Sequence, residues 1–187
     1  AVTSGEPECQ RFYCKNRLST EIQGRNRHSI IQYGDHLLAQ RQSADGTFYT
    51  TLLATDSKRS VIDTLKNNNL SQSIAYSPYG HRHSSSGTSS LLGFNGERPD
   101  SLTEHYLLGN GYRAFNPALM RFNSPDNFSP FGRGGLNPYT YCLGNPIKNT
   151  DPTGHMINIS TIASALETHR PYLKIPRPNL ISTALTD

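Results

Sequence analysis

Tryptophan is absent from this sequence of 187 residues, methionine occurs twice, and no apolar run approaches the roughly 20 residues that a membrane-crossing helix needs. No basic segment leading into a short apolar stretch marks a secretory signal. Charge is scarce as well: Asp, Glu, Lys and Arg make up 17% of the chain, too little for a charged disordered segment. The net charge of +4 and pI near 9.0 come from scattered Lys and Arg. No basic cluster interleaved with aromatics appears, which argues against a nucleic-acid partner. The three cysteines, Cys9, Cys14 and Cys142, are an odd set without a second pair of ligands at zinc spacing. Free thiols in a reducing compartment are therefore expected, with neither metal nor cofactor. Only 34% of residues are hydrophobic and the mean hydropathy is −0.58. Strands this polar are expected to need a larger surrounding structure to bury them well. The chain opens at Ala1 and not at Met, and is expected to be a fragment of something longer.

What the chain does have is turn chemistry. Gly (15) and Pro (12) are plentiful beside many Asn and Ser, a composition for short strands and many turns and not for a helical bundle. A faint repeat runs through the first part. Tyr13-Cys-Lys-Asn16-Arg-Leu18 is followed twenty positions later by Tyr33-Gly-Asp35-His-Leu37, then by a looser unit from Thr55-Asp56 into Arg59-Ser60-Val61-Ile62, and by Tyr76-Ser77-Pro78-Tyr79-Gly80. A period near twenty with a polar turn inside it predicts β-hairpins stacked edge to edge. Alternation of period two in Phe48–Thr55 and Ser60–Leu65 predicts strands there.

The fold class expected is mainly β, in three parts. Residues 1–90 are degenerate repeats ending in the Ser-rich loop around His81 to Ser90. Residues 91–155 form a denser block. It is rich in Gly, Pro, Asn and the rings of Phe94, Tyr106, Tyr112, Phe115, Phe122, Phe128, Phe131, Tyr139 and Tyr141. These rings are expected to pack short strands and tight turns, with Gly109-Asn-Gly111 as a hairpin turn. Residues 156–187 form a variable tail, irregular or briefly helical after Ser160 or Thr161, then broken by three prolines.

Within the dense block three residues form a candidate set: Arg113 in "GNGYRAFNP", Asp126 in "RFNSPDNF" and Asp151 in "NTDPTGHM". Peptide hydrolysis by carboxylates needs two acids close enough to share a proton, one activating water while the other protonates the carbonyl. A guanidinium beside them can hold one ionised or steady the oxyanion. Spacing alone leaves another account open. Asp-Pro-Thr-Gly is also a type I turn, and two turn aspartates with a strand arginine are structural in most proteins.

The order Gly-Tyr-Arg, Arg-Phe, Ser-Pro-Asp, Gly-Gly-Leu-Asn-x-Tyr, Asn-Pro and Asp-Pro-x-Gly is complete between Leu91 and His155. This stretch closely resembles the RHS-repeat-associated core domain, and Leu52–Arg82, ending "AYSPYGHR", resembles the YD-repeat lead-in to it. The likeness covers Tyr13 to His155. It implies that the repeats form part of a spiral β-shell around a toxic C-terminal polypeptide, as in the C components of insecticidal toxin complexes and in RHS effectors. It further implies that the core closes the shell and cuts the chain after Asp-Pro-x-Gly-Leu, an autocatalytic aspartyl-type endopeptidase with one intramolecular turnover. Carried over by motif, Arg113, Asp126 and Asp151 are the catalytic set and His155–Met156 is the cleaved bond. His155 stands where the family usually has Leu. Imidazole fills such a pocket less well, and its charge changes at about pH 6 to 7, which predicts slower or pH-dependent cleavage. The interval from Ser-Pro-Asp to Asp-Pro is also longer than usual, around Phe128–Arg133.

The partners implied are the remainder of an RHS shell or a companion shell protein, the chain's own C-terminal segment as substrate, and an immunity protein or secretion machinery. The location implied is the bacterial cytoplasm before export, then outside the cell or inside a target cell. The tail is too short for an ordinary enzymatic toxin, and a partner-binding peptide or the start of a truncated toxin is expected there. The alternative is a non-catalytic β-rich scaffold or an interaction module of carbohydrate-binding or adhesive type, its aspartates only making turns.

Overall fold

Seven strands follow one another as an antiparallel meander, in the spatial order of the sequence. They are β1 (Cys9–Cys14), β2 (Arg17–Gln23), β3 (Asn26–Tyr33), β4 (His36–Ala44), β5 (Thr47–Thr55), β6 (Val61–Lys66) and β7 (Leu70–Ser73). The computed structural model describes residues 8–66, 70–82, 90–131 and 134–155. All lie in one compact unit, Ala1–Ile157, and the second unit, Asn158–Asp187, falls outside them. The tail expected at 156–187, including Met156, and most of the Ser-rich loop thus lie outside the described residues.

The polar pairs in the repeats become two-residue turns: Lys15-Asn16, Gly24-Arg25, Gly34-Asp35 and Asp45-Gly46 join strands paired as Cys14↔Arg17, Gln23↔Asn26, Tyr33↔His36 and Ala44↔Thr47. Asp45 and Gly46 both take positive φ, the mirror-image turn whose twist matches the strands it joins. One up-and-down pair of strands accounts for the twenty-residue period. The fourth repeat unit departs from it. Tyr76–Gly80 is not a strand but a tight turn, closed by Gly80 N–H to Ser77 C=O and Ser77 N–H to His81 C=O, each 2.8 Å. Pro78 has no N–H to offer a ladder, and the Tyr76 ring packs against both hydrophobic cores of the molecule.

Period-two alternation decides what the meander buries. Ile30, Leu37 and Leu53 face a core with Leu18, Val61, Ile74 and Leu92, while their neighbours Ile31, Leu38 and Leu52 are exposed. A β-bulge between Ile31 and Gln32 resets the register against β4. Buried Glu21 is the polar exception, held by Arg11 Nε at 2.8 Å and by Arg98 Nη2 at 2.9 Å.

The dense block builds a second, smaller sheet from β8 (Tyr106–Leu108), β9 (Arg113–Asn116) and β10 (Arg121–Phe122), in the order β10-β9-β8. Leu108 pairs with Arg113 across the turn that contains Gly109-Asn-Gly111. Its core is aromatic. Phe115 stacks on Tyr141 at 3.9 Å, and Phe122 meets both rings edge-on at 5.8 Å. Not every ring expected in the core is there. Phe131 is fully exposed, and Tyr112, Phe128 and Tyr139 are 37–48% exposed. The core is already filled by Phe94, Tyr106, Phe115, Phe122 and Tyr141, and two of the displaced rings serve elsewhere. The architecture is mainly antiparallel β in open sheets, and among the described residues no helix is long and apolar enough to cross a membrane.

Candidate functional site

Arg113 opens β9, and alternation along that strand turns its side chain inward with Phe115. The guanidinium is 3% exposed and lies with its carbon 3.6 Å from the centroid of the Phe122 ring. There it spends its donors in several directions. Nη2 reaches Asp126 Oδ2 at 3.0 Å and Asp151 Oδ2 at 3.9 Å, Nη1 donates to Pro138 C=O at 2.9 Å, and Nε donates to Gly154 C=O. Both carboxylates are as buried as the arginine, 2% and 4% exposed. Since both oxygens lie within these distances of one nitrogen, they are no more than about 7 Å apart, close enough for ionisation of one to raise the other's hold on a proton.

Local turns place the two acids. Asp126 sits in a turn where its own Oδ1 accepts the Phe128 N–H at 3.0 Å and its N–H donates to Pro138 C=O at 3.0 Å. Asp151 begins the Asp-Pro-Thr-Gly turn, and Thr153 Oγ1 donates to its Oδ1 at 3.1 Å. That turn is docked on β8 by Gly109, whose N–H donates to Pro152 C=O at 3.2 Å. Gly109 has φ +61, and a Cβ there would stand 2.1 Å from Thr153 C=O, so only glycine allows the approach. From the repeat sheet Lys58 Nζ donates to Pro146 C=O at 2.6 Å and to Asn149 C=O at 3.2 Å, tying down the segment that leads into Asp151.

His155 completes the cluster. Its Nδ1 lies 3.0 Å from Asp126 Oδ1, and its ring contacts those of Tyr112, at 3.8 Å, and Phe128, at 4.6 Å. The structure thus brings Arg113, Asp126, Asp151 and His155 together, while Met156 lies outside the described residues. Burial alone would push the Asp126 carboxyl up. The Phe128 N–H, the His155 ring and Arg113 together outweigh it and hold the group below its ordinary value, so it is ionised at neutral pH. For Arg113 burial dominates over Asp126 and Asp151 and lowers its affinity for its proton, though a guanidinium stays charged. The arrangement offers an ionised carboxylate, a second buried carboxyl beside it and one cation between them. Among the described residues no group of three or more His, Cys, Asp and Glu could hold a metal ion.

Sequence reasoning missed Tyr112, Phe128, Gly109, Thr153 and Lys58. A weak signal existed for Phe128, since Asp followed two residues later by a hydrophobic group is how a side-chain-closed turn presents a ring. Lys58 lies some ninety residues from its acceptors, and nothing local marks it.

The fold has solved relatives. The chain is similar to the crystal structure of TcdB2-TccC3-TEV, at TM-score 0.57 and 19% identity over 82% of this chain and 8% of that one. It is similar also to TcdB2-TccC3 and to TcdB2-TccC3 without its hypervariable C-terminal region, each at TM-score 0.50 and 17% identity over 78% of this chain and 8% of the other. These likenesses establish the fold, and the chain spans only a small part of those proteins. No match was found among curated proteins. The family model for the Teneurin YD-shell matches residues 8–147, the whole repeat sheet and most of the aromatic block. The chain therefore belongs to the Teneurin YD-shell family.

Proposed function

We propose that this chain is the closing segment of an RHS-type shell and cuts itself once, after His155. Asp126, ionised, takes a proton from water as its oxygen attacks the His155 carbonyl carbon. Asp151, carrying a proton, gives it to the carbonyl oxygen. Collapse of the tetrahedral intermediate breaks the bond to Met156, whose nitrogen leaves with a proton from the acid pair. Arg113 holds the two acids in register and keeps Asp126 charged. The observation that carries this reading is the sharing of one buried guanidinium nitrogen by two buried carboxylates, with the residue before the bond touching one of them.

On this reading residues 1–90 are shell repeats, 91–155 the closing core and 156–187 the released segment, the counterpart of a hypervariable C-terminal region. The remainder of the shell, on this or a companion chain, is the first partner. An immunity protein or export machinery is the second, with passage from a bacterial cytoplasm to the outside.

The experiment is a chain tagged at both ends and followed by mass from synthesis onward across pH 4 to 8. A fragment beginning at Met156 is expected, and Asp126→Asn and Asp151→Asn should each abolish it while the fold persists. A wild-type chain that stays intact throughout sinks the proposal. One observation favours the scaffold reading in its place: Asp126 is already engaged on both oxygens, by Arg113, the Phe128 N–H and His155. If that saturation is permanent, Asp126→Asn lowers stability and there is no fragment to lose.

A further inference from the structure

The surroundings of His155 fit an imidazole in particular. Tyr112 stacks on the ring at 29° between planes, and Phe128 lies against it at 31°. The Tyr112 hydroxyl is held at 2.8 Å by Asn127 Oδ1 and at 3.3 Å by the Asn127 N–H, which fixes the first ring. At the ring's edge waits Asp126 Oδ1, 3.0 Å from Nδ1. An ionised carboxylate only accepts, so Nδ1 carries the proton in this contact, and the tautomer is set. Leucine in this place could neither stack on the flat rings nor donate at the edge.

We infer that Tyr112 and Phe128, with Asp126 at the edge, determine which residue is accepted before the cut, and that they select a flat ring bearing an N–H donor. The inference rests on the self-cleavage proposed above. It assigns a specificity to that site: two rings supply shape, and the carboxylate supplies direction. The hydrogen bond also ties the residue before the bond to the acid that activates water, so the same contact that selects histidine sets the reach of Asp126 to its carbonyl. A residue lacking the donor is disfavoured because Asp126 Oδ1 then keeps only the Phe128 N–H at 3.0 Å and the Tyr112 hydroxyl at 3.5 Å and loses its contact with the residue before the cut.

The test replaces His155 in the full chain, tagged at both ends, and times the appearance of the fragment. His155→Asn keeps a donor near the place of Nδ1 without the ring, His155→Phe keeps the ring without the donor, and His155→Leu keeps neither. The expected order is His fastest, Asn and Phe between, and Leu slowest by about tenfold or more. Converting both Tyr112 and Phe128 to Leu should erase the difference between Phe and Leu at position 155 while Asn keeps its lead over both. Tyr112→Phe, which retains the ring, should keep the histidine preference and guards against misfolding of the double variant. A readout independent of cleavage uses the Asp151→Asn chain, where the His155 ring protons should be shifted upfield by the flanking rings and the shift lost in Tyr112→Leu. Equal rates for all four residues, or a faster Leu, leave self-cleavage standing and overturn the histidine match. No cut in any member of the series overturns self-cleavage itself, and the inference with it.

Discussion

Two buried carboxylates, Glu21 in the repeat sheet and Asp126 in the aromatic block, meet arginine in opposite proportions. Glu21 has two cations, Arg11 and Arg98, and these reach it from positions 30% and 18% exposed. Asp126 shares one cation, 3% exposed, with a second acid. The first cluster is over-neutralised and open to water at its positive end. In the second, one buried guanidinium reaches two buried carboxyl groups, and the His155 ring meets one of them. Both belong to one unit and both look like salt bridges. The number of arginines per acid separates the two clusters.

The largest test of that contrast is removal of the cation. Arg113→Met should cost about 3–5 kcal/mol, because two buried carboxylates then lose their compensating charge while the methylene packing on Phe122 is largely kept. Arg11→Met should cost about 1 kcal/mol, since Arg98 remains and the removed group was partly in water. Urea unfolding of both variants measures the difference. Equal losses would mean that the two clusters are the same kind of object.

Much of this arrangement was legible in the sequence, and the reasons differ by region. In the repeats the first four turns are local, and pairs such as Gly34-Asp35 and Asp45-Gly46 fix a hairpin within four residues, so the period of twenty translated directly into the meander. Tyr76–Gly80 matched the repeat in composition and not in structure, because its ring serves two cores that no local pattern announces. In the block the identities of Arg113, Asp126 and Asp151 stood out by motif. Their mutual distances depend on Pro138, Gly154 and Gly109, contacts made across the fold. The rings of Tyr112 and Phe128 read as core because hydrophobicity says only that a ring wants company, and here the company is His155.

The second test uses acid, and on it the two carboxylates should agree. Burial opposes the charged form of each, and the arginines on Glu21, or the Phe128 N–H, His155 and Arg113 on Asp126, outweigh it, so both folded values lie below the ordinary 4.5 and 3.8. A depressed folded value contributes stability that is fully present above the unfolded value and is lost as pH falls through the folded one. The parent should therefore lose stability below about pH 4, and Glu21→Gln or Asp126→Asn should each flatten that acid limb. Fluorescence-detected unfolding by urea at pH 3 and pH 6 provides the slopes. A limb unchanged in Asp126→Asn would mean that the acid is not ionised in the fold.

Glu97 is the third acid and reverses the sign. It follows the 3₁₀ turn Phe94–Gly96, and burial, only partly offset by Arg59 and Arg17, raises its carboxyl to about 7. Between the ordinary value of 4.5 and 7 the folded chain holds this proton while the unfolded chain has released it. Its contribution to stability is thus present at low pH and declines as pH rises through that window. Glutamine resembles the protonated form, so Glu97→Gln should match the parent at pH 4.5 and exceed it by about 1 kcal/mol at pH 8, where the parent must ionise a half-buried group. The effect is the smallest of the three, yet it sharpens the contrast most directly. Glu21 and Asp126 have cations or donors at bonding distance, whereas the arginines act on Glu97 by field, and the acid with the weaker compensation is the one that keeps its proton into the neutral range. If Glu97→Gln instead destabilises at pH 8, the carboxylate is compensated there as fully as Glu21, and the count of nearby charges, not their contact, decides ionisation in this fold.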